Sequence, residues 1–250
     1  MKTVKDILDC LNGFAPLELQ LGFDNSGFQL GRLNAPVERA LLALDVTRAV
    51  ADEAEKLGAQ LIISHHPLIF TPVKSVTDEL QLRLAERGIA VISMHTNLDI
   101  AAGGVNDVLI ELVGAKCEGY FDEDNCGRVG VLPEAVELRK FLAHCKAALG
   151  TNGLRYYDAK RPVHRVAVMG GSGGDYIADA VAQGCDTYLT ADIKYHQFLL
   201  AEELNINLID GDHFCTENPV IPVLAARLGA AMPDVDFRVS AVHKQTAQFA

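Results

Sequence analysis

Short apolar runs alternate with amphipathic segments along most of the chain, and one order of elements occurs twice. In the first half, a strand, a helix and a second strand are predicted over residues 39–45, 47–59 and 60–67. In the second half, the same order is predicted over residues 164–170, 174–185 and 186–192. Strands that alternate with helices are typical of a mostly parallel sheet covered by helices.

Each half continues into a third predicted strand, and both of these strands end in a histidine followed four positions later by a carboxylate. Aligning residues 88–99 with residues 206–217 places His95 on His213 and Asp99 on Glu217. Short periodic segments often match by chance, so the shared histidine and carboxylate are the stronger sign of an internal duplication.

The duplication predicts an α/β fold of two similar lobes, with mostly parallel or mixed sheets and helices on their faces. We place the first lobe at residues 1–120 and the second at residues 121–250, with an approximate boundary and the option that C-terminal elements pack back on the first lobe. Between the repeats, residues 127–132 are predicted as a strand and residues 133–150 as a helix. Proline is tolerated in a first helical turn, so we start that helix at Pro133.

Composition and charge restrict the functional classes. The 250 residues are 49% hydrophobic, which is ample for a buried core. A net charge of -11 makes nucleic acid an unlikely partner, because neutralising phosphates requires clustered Lys and Arg. The first 16 residues interleave charges with apolar positions and no later window resembles a membrane span, so we expect a cytoplasmic protein with no membrane partner.

Six cysteines are scattered along the chain without a C-x-x-C pair. This spacing argues against a zinc ribbon, a thioredoxin-type site and a disulfide framework. We expect them to be reduced packing residues, including Cys215, which lies between two candidate ligands.

Side chains with metal-binding chemistry follow the predicted strands at their carboxyl ends. His65 and His66 end one apolar run, Asp99 follows the third strand of the first half, and His213 and Glu217 follow the third strand of the second. Ligands of parallel α/β sheets bind at this edge, and two lobes facing one another would bring both sets to one cleft. Five such ligands exceed the needs of one tetrahedral zinc ion and suit two cations about 3.5–4 Å apart with a bridging carboxylate. Because no thiolate is required, the two divalent ions would be Zn, Fe, Mn, Co or Ni.

The local structure around Glu217 has two interpretations. A four-residue gap places His213 and Glu217 on one face if the segment is helical. Alternatively, Pro219 and Pro222 start a helix near Asn218, and Glu217 then comes from the turn that enters it.

Glu217 and His95 are the candidate catalytic residues. His95 has a second interpretation, in which it orients a metal ligand through a hydrogen bond. A lone histidine near a core most often has a structural role, in which it hydrogen-bonds to a backbone carbonyl. The adjacent pair of histidines and the repeated H-x-x-x-[DE] pattern favour a metal site over such a structural role for these residues taken together.

Three polar loops carry weaker signals. Residues 23–31 form either a structural turn or the mouth of the cleft. Residues 170–175, GGSGGD, have amides that could hold a phosphate, but they lack both the G-x-G-x-x-G spacing and a Walker lysine. Asp192, Lys194 and His196 suit either acid–base or substrate contact or a polar surface.

Six motifs, in this order, resemble the Nif3-like dinuclear metal centre family, some of whose members are named GTP cyclohydrolase 1 type 2: DNSGFQLG, ISHHPLIF, HTNLD, GGSGGD, TADIKYHQ and GDHFCTE. The resemblance spans nearly the whole chain. The chain is similar to the short form of the family. It implies that the five candidate ligands above bind the metals, with Asp99 or Glu217 bridging, in a two-lobed α/β subunit. It also implies a toroidal homohexamer whose sites face an internal cavity. Phe214 and Cys215 depart from the usual family pattern, which leaves the ligands intact but alters the pocket.

Three functions are compatible with these features. The first is a metal-dependent hydrolase of a nucleotide-like small substrate, with GTP cyclohydrolase or phosphoesterase chemistry. The second is a non-catalytic protein that binds or delivers metal, or a regulatory scaffold. The third is a nucleotide-binding α/β protein that uses residues 170–175, with an accidental cluster of histidines.

Overall fold

The computed structural model describes residues 1–249, which form two compact units. The first unit combines Met1–Ala102 with Val220–Lys244, and the second combines Gly103–Pro219 with the residues from Gln245 onward. A single cut of the chain near residue 120 would therefore not separate them. Both units contain helices and a mixed sheet, which confirms the predicted α/β class.

The first unit contains a five-stranded sheet built around the first predicted repeat. Its strands, in spatial order, are β13 (Asp236–Val239), β4 (Arg39–Ala43), β5 (Leu61–Ser64), β6 (Ala90–Ser93) and β2 (Gly27–Leu30). Neighbours pair in parallel except β2, which runs antiparallel to β6. All residues of β5 and β6 are buried, as expected for central strands covered on both faces. A separate antiparallel pair joins β1 (Lys2–Thr3) to β3 (Pro36–Val37).

Helices cover this sheet with amphipathic faces. They are α1 (Val4–Phe14), α2 (Arg48–Leu57), α3 (Glu79–Glu86), α4 (Thr96–Ile100) and α10 (Val220–Ala231). Helix α2 begins after Thr47, whose side chain accepts a hydrogen bond from the Val50 amide, and it ends at Gly58 in the left-handed conformation. Val50 and Ala51 pack in the same core cluster as Ile62 of β5.

The second unit contains a six-stranded sheet built around the second predicted repeat. Its strands, in spatial order, are β7 (Lys116–Tyr120), β8 (Arg128–Val136), β10 (Val163–Val168), β11 (Thr187–Thr190), β12 (Asn207–Asp210) and β9 (Arg155–Tyr157). The repeat strands β10, β11 and β12 are parallel, and the other pairs are antiparallel. The helices are α5 (Val105–Leu112), α6 (Leu138–Leu149), α7 (Ile177–Ala182), α8 (Tyr195–Glu203) and α9 (His213–Glu217).

The predicted start of a helix at Pro133 is wrong. Strand β8 continues through Val136, which pairs with Val163 of β10, and α6 begins at Leu138. On the other side of β8, the pairing with β7 reaches only Val131. Pro133 lies beyond that point, where a missing backbone N–H breaks no ladder hydrogen bond to β7.

Among residues 1–249, no helix is both long and apolar enough to cross a membrane. The two longest helices, α6 and α10, have 12 residues each.

Candidate metal centre

His65 and His66 lie in the turn that directly follows β5. The carbonyl of Leu44 accepts hydrogen bonds from both histidine amides, at 3.1 and 2.9 Å. The Ser64 hydroxyl donates to the His66 carbonyl at 2.8 Å, which stabilises the turn. Because the strand ends here, the two imidazoles do not alternate across the sheet, and their ring centroids lie 5.0 Å apart. The His65 side chain is fully buried.

His95 and Asp99 lie beside this pair, at the end of the neighbouring strand. His95 precedes α4, and Asp99 lies on α4 one turn later. The His95 ring centroid is 5.2 Å from that of His65 and 5.6 Å from that of His66. His65 Nε2 is 3.6 Å from Asp99 Oδ1. One ring nitrogen from each of His65, His66 and His95 can be chosen so that the three atoms lie within 4.8 Å of one another. The three rings are therefore close enough to bind one metal ion.

Each of these three histidines is hydrogen-bonded to an oxygen through Nδ1. The bonds join His65 to the Met94 carbonyl at 2.7 Å, His66 to Asp45 Oδ1 at 2.6 Å and His95 to Asp24 Oδ1 at 2.8 Å. A carbonyl or carboxylate oxygen accepts, so Nδ1 carries the proton and Nε2 carries the lone pair of the neutral ring. Metal-binding histidines are commonly oriented in this way by a carboxylate or a backbone carbonyl. The donor set therefore fits a divalent metal ion bound through Nε2.

Asp24, in the loop that precedes β2, holds His95 and the start of α4. Its second carboxylate oxygen accepts hydrogen bonds from the Ser26 hydroxyl at 2.7 Å and from the Thr96 amide at 3.0 Å. Burial by itself would raise the pKa of Asp24, but the hydrogen bonds from His95, Thr96 and Ser26 lower it well below its ordinary value. The loop thus presents a charged acceptor to the His95 ring.

In the second unit, His213 and Glu217 lie one turn apart on α9, which is the helical one of the two arrangements that the sequence allowed. His213 Nε2 is 3.1 Å from Glu217 Oε2, and His213 Nδ1 is 2.7 Å from Asp192 Oδ2. Burial would lower the pKa of His213, but the bonds to Glu217 and Asp192 raise it to about 9. The imidazole nitrogen His213 Nε2 and the carboxylate oxygen Glu217 Oε2 are both atoms of the kind that divalent cations bind.

Gly171, in the loop after β10, sets the space available to Glu217. Its backbone has a φ of +66°, and a Cβ added there would overlap Glu217 Oε1 and lie 3.2 Å from His213 Nε2. Only glycine combines this conformation with so close an approach. The Glu217 side chain packed against it is 5% exposed.

The amides of the glycine-rich loop at residues 170–175 donate inside the protein. Those of Gly170, Gly171 and Gly173 donate to the side chains of Asn106, Thr216 and Thr190, at 2.7, 3.1 and 2.9 Å. These three donors are therefore engaged by the fold and do not form a phosphate cradle. The loop serves instead to hold α9.

Other candidates in the second unit have different environments. Asp192 contacts His213. Lys194 and His196, which follow Asp192 in the sequence, are exposed. Cys215 is 3% exposed, and burial raises the pKa of its thiol to about 12. These properties suit the packing role expected for Cys215.

Sequence reasoning missed Asp45 and assigned His243 no role at the site. Asp45 lies two residues after the end of β4, so the strand-end rule that selected the histidines could also have selected this carboxylate. His243 Nε2 lies 3.2 Å from Asp45 Oδ2, but His243 is far from Asp45 in the sequence and lies among mixed polar residues, so nothing in the local pattern connects the two.

Comparisons with known proteins cover the whole chain. Residues 2–247 match the family model described as Duf34/NIF3 (NGG1p interacting factor 3). A Clostridium perfringens protein named GTP cyclohydrolase 1 type 2 homolog is 33% identical over an alignment of 259 positions, which covers 98% of this chain and 99% of the relative. A solved structure of a Staphylococcus aureus hypothetical protein has a TM-score of 0.91 and 26% identity, with 99% of each chain covered. A Bacillus cereus protein related to NIF3 has a TM-score of 0.92 and 25% identity, with 100% of this chain and 99% of that chain covered.

Proposed function

This chain belongs to the Duf34/NIF3 family, and from that premise we propose that it binds two divalent metal ions and hydrolyses a small, nucleotide-like substrate with them. One observation carries the proposal. Four histidines, His65, His66, His95 and His213, are each held through Nδ1 by an oxygen acceptor. This orientation is that of metal-binding imidazoles, and its repetition in both units argues against isolated structural histidines.

The proposed ligands are His65, His66 and Asp99 of the first unit with His213 and Glu217 of the second. Each unit places a carboxylate beside an imidazole, at 3.6 Å for Asp99 and His65 and at 3.1 Å for Glu217 and His213. Imidazole nitrogens and carboxylate oxygens suit Zn, Fe, Mn, Co or Ni. Asp99 or Glu217 would bridge the two ions. Family resemblance adds the proposal that the subunits form a toroidal homohexamer.

When bound, two such ions lower the pKa of a coordinated water and polarise the bond under attack, which supports hydrolysis near neutral pH. The chain itself supplies proton acceptors and donors. With Asp99 as the bridging ligand, the buried Glu217 would accept a proton through its second carboxylate oxygen, and His95 would exchange one through Nε2 because its Nδ1 is bonded to Asp24. Glu217 and His95 are therefore the proposed catalytic residues.

Metal analysis of protein purified without a histidine tag tests the centre before any substrate is chosen. We expect about two metal ions per wild-type chain, in line with a dinuclear site. His65→Ala should lose metal, whereas the control His164→Ala, at an exposed histidine of β10, should retain it. A wild-type protein without affinity for these metals, or a His65→Ala variant with unchanged metal content, would contradict the proposal.

Turnover distinguishes the hydrolase from its alternative. We expect metal-loaded wild type to hydrolyse a member of a panel of GTP, other nucleotides and phosphoesters, and Glu217→Gln to lower the rate about a hundredfold or more. Full metal content with rapid metal exchange and no turnover would instead support the alternative, a non-catalytic protein that delivers metal or acts as a regulatory scaffold.

A further inference from the structure

Two phenylalanines form an exposed aromatic pair beside the histidines of the first unit. Phe23 is 64% exposed and Phe70 is 48% exposed, and their ring centroids lie 6.3 Å apart with a 44° angle between the rings. The Phe70 ring lies 6.0 Å from the His95 ring, which it meets at 80°. The pair therefore extends an apolar surface outward from His95, the proposed catalytic histidine.

The backbone beneath both rings is held by the network that orients His95. Phe23 directly precedes Asp24, whose carboxylate accepts the His95 hydrogen bond. Phe70 directly follows Ile69, whose amide donates to Gln29 at 3.1 Å and whose carbonyl accepts from Asn25 at 2.5 Å. The two rings are thus exposed but not on freely moving segments, which lowers the ordering cost of binding a ligand.

The size of this surface suits a small molecule better than a protein. Phe23 and Phe70 together expose on the order of 200 Å² of apolar area. A stable protein interface needs about 800 Å² from each partner. A small-molecule ligand with one planar ring, by contrast, can bury a face of that ring against two neighbouring phenyl rings.

The position of the pair defines the chemistry of that ring. Its faces must be apolar enough to stack on phenyl groups. One of its edges would point toward His95 and the proposed metal ions, and nitrogen or oxygen atoms on that edge are the groups that hydrogen-bond to an imidazole or coordinate a divalent cation. We propose that Phe23 and Phe70 form an aromatic platform that binds the planar nitrogen heterocycle of the ligand, an inference that rests on the proposed metal-dependent function.

Fluorescence of 2-aminopurine riboside tests the platform directly. The chain contains no tryptophan, so the probe can be excited at wavelengths at which the protein does not absorb. We expect metal-loaded wild type to quench the probe and to raise its anisotropy. Phe23→Leu and Phe70→Leu keep an apolar side chain but remove the ring, and each should weaken binding about tenfold. Phe70→Tyr should restore it, and the control Tyr156→Leu, at an exposed ring of β9, should not change it.

The same samples separate the platform from the metal centre. Metal content and oligomeric state are measured for each variant by elemental analysis and light scattering. Wild type that retains metal but does not bind the probe, or leucine variants that bind it with unchanged affinity, would overturn the platform alone. Leucine variants that dissociate the oligomer without changing probe affinity would overturn it too, because the rings would then contact a second copy. Wild type without metal affinity would instead contradict the proposed function.

Discussion

At the scale of single residues, Asp45 connects a proposed metal ligand with the C-terminal segment of the first unit. Its Oδ1 accepts from His66 Nδ1 at 2.6 Å, and its Oδ2 lies 3.2 Å from His243 Nε2. Burial would raise the pKa of Asp45, but hydrogen bonds from His243 and His66 lower it well below its ordinary value. A charged acceptor at Nδ1 orients the His66 ring and makes its other nitrogen a better ligand.

Replacing Asp45 by Asn should therefore weaken metal binding without unfolding the protein. We expect Asp45→Asn to lower metal affinity about 10- to 100-fold, because the neutral amide supports the imidazole less strongly. Competition with a chromophoric chelator measures the affinity. Asp158→Asn is the control, since Asp158 bonds to the exposed Lys160 and not to a histidine. Equal affinities of the two variants would show that Asp45 does not support a metal ligand.

The cysteines should divide into two groups by reactivity. Cys117 is exposed and Cys10 is partly buried, whereas the other four are buried. Burial raises the thiol pKa to about 12 for three of these four, Cys145, Cys185 and Cys215. At pH 8 a thiol with a raised pKa holds almost no thiolate, which is the reactive form. Iodoacetamide followed by mass spectrometry should label Cys117 and Cys10 first, and rapid native labelling of Cys145 would contradict the packing described above.

At the scale of elements, the position of Glu217 depends on two short segments of the second unit. Helix α9 carries Glu217, and the loop after β10 abuts it through a hydrogen bond from the Gly171 amide to Thr216. The Gly171 carbonyl accepts in turn from the Ala191 amide at 2.8 Å, which ties the loop to the end of β11. The loop after β10, the end of β11 and helix α9 thus form one hydrogen-bonded unit around the carboxylate.

Two glycine substitutions should have opposite effects. Gly171→Ala places a methyl group against Glu217 in a left-handed conformation, so we expect weaker metal binding and a lower free energy of unfolding. Gly229→Ala, in α10, adds a methyl group with nothing within 4 Å, so we expect about 0.5–1 kcal/mol more stability and unchanged metal content. Urea unfolding and metal titration measure both. Normal metal affinity in Gly171→Ala would show that the carboxylate tolerates displacement.

At the scale of the whole molecule, the chain forms two units that each have a sheet and a buried core of their own. The first unit is completed only when the chain returns with β13, which pairs in parallel with β4. Arg39 and Asp236 form an ion pair across these strands, with Nε 2.7 Å from Oδ2. The first unit therefore requires both ends of the chain for its sheet.

Removal of metal should lower the thermal stability of the whole protein. A ligand present at a hundred times its dissociation constant stabilises the folded state by about 2.7 kcal/mol. For a chain of this size, that corresponds to a fall in Tm of about 5–10 °C on chelation. Scanning calorimetry of wild type with and without chelator measures the change, and His65→Ala should show little or none. A wild-type Tm that does not respond to chelator would oppose a bound metal centre.

How much of the site could be predicted differs between the ligands and their partners. The residues His65, His66, Asp99, His213 and Glu217 were selected because parallel strands present their carboxyl ends at one edge of a sheet. The carboxylates that orient two of the histidines were not assigned to them: Asp45 bonds to the ligand His66, 21 positions away, and Asp24 bonds to the candidate catalytic residue His95, 71 positions away. No periodicity encodes such a contact.

The sequence by itself determined the α/β class, the order of most elements and the family, because hydrophobic periodicity and motif spacing are local properties of the chain. Only the tertiary structure decided that β13 joins β4, that β8 runs through Pro133, and that Phe70 lies against His95. These features depend on which distant segments pack together and on distances of a few ångströms between side chains. Local propensity constrains neither, because such contacts join residues that are far apart in the sequence.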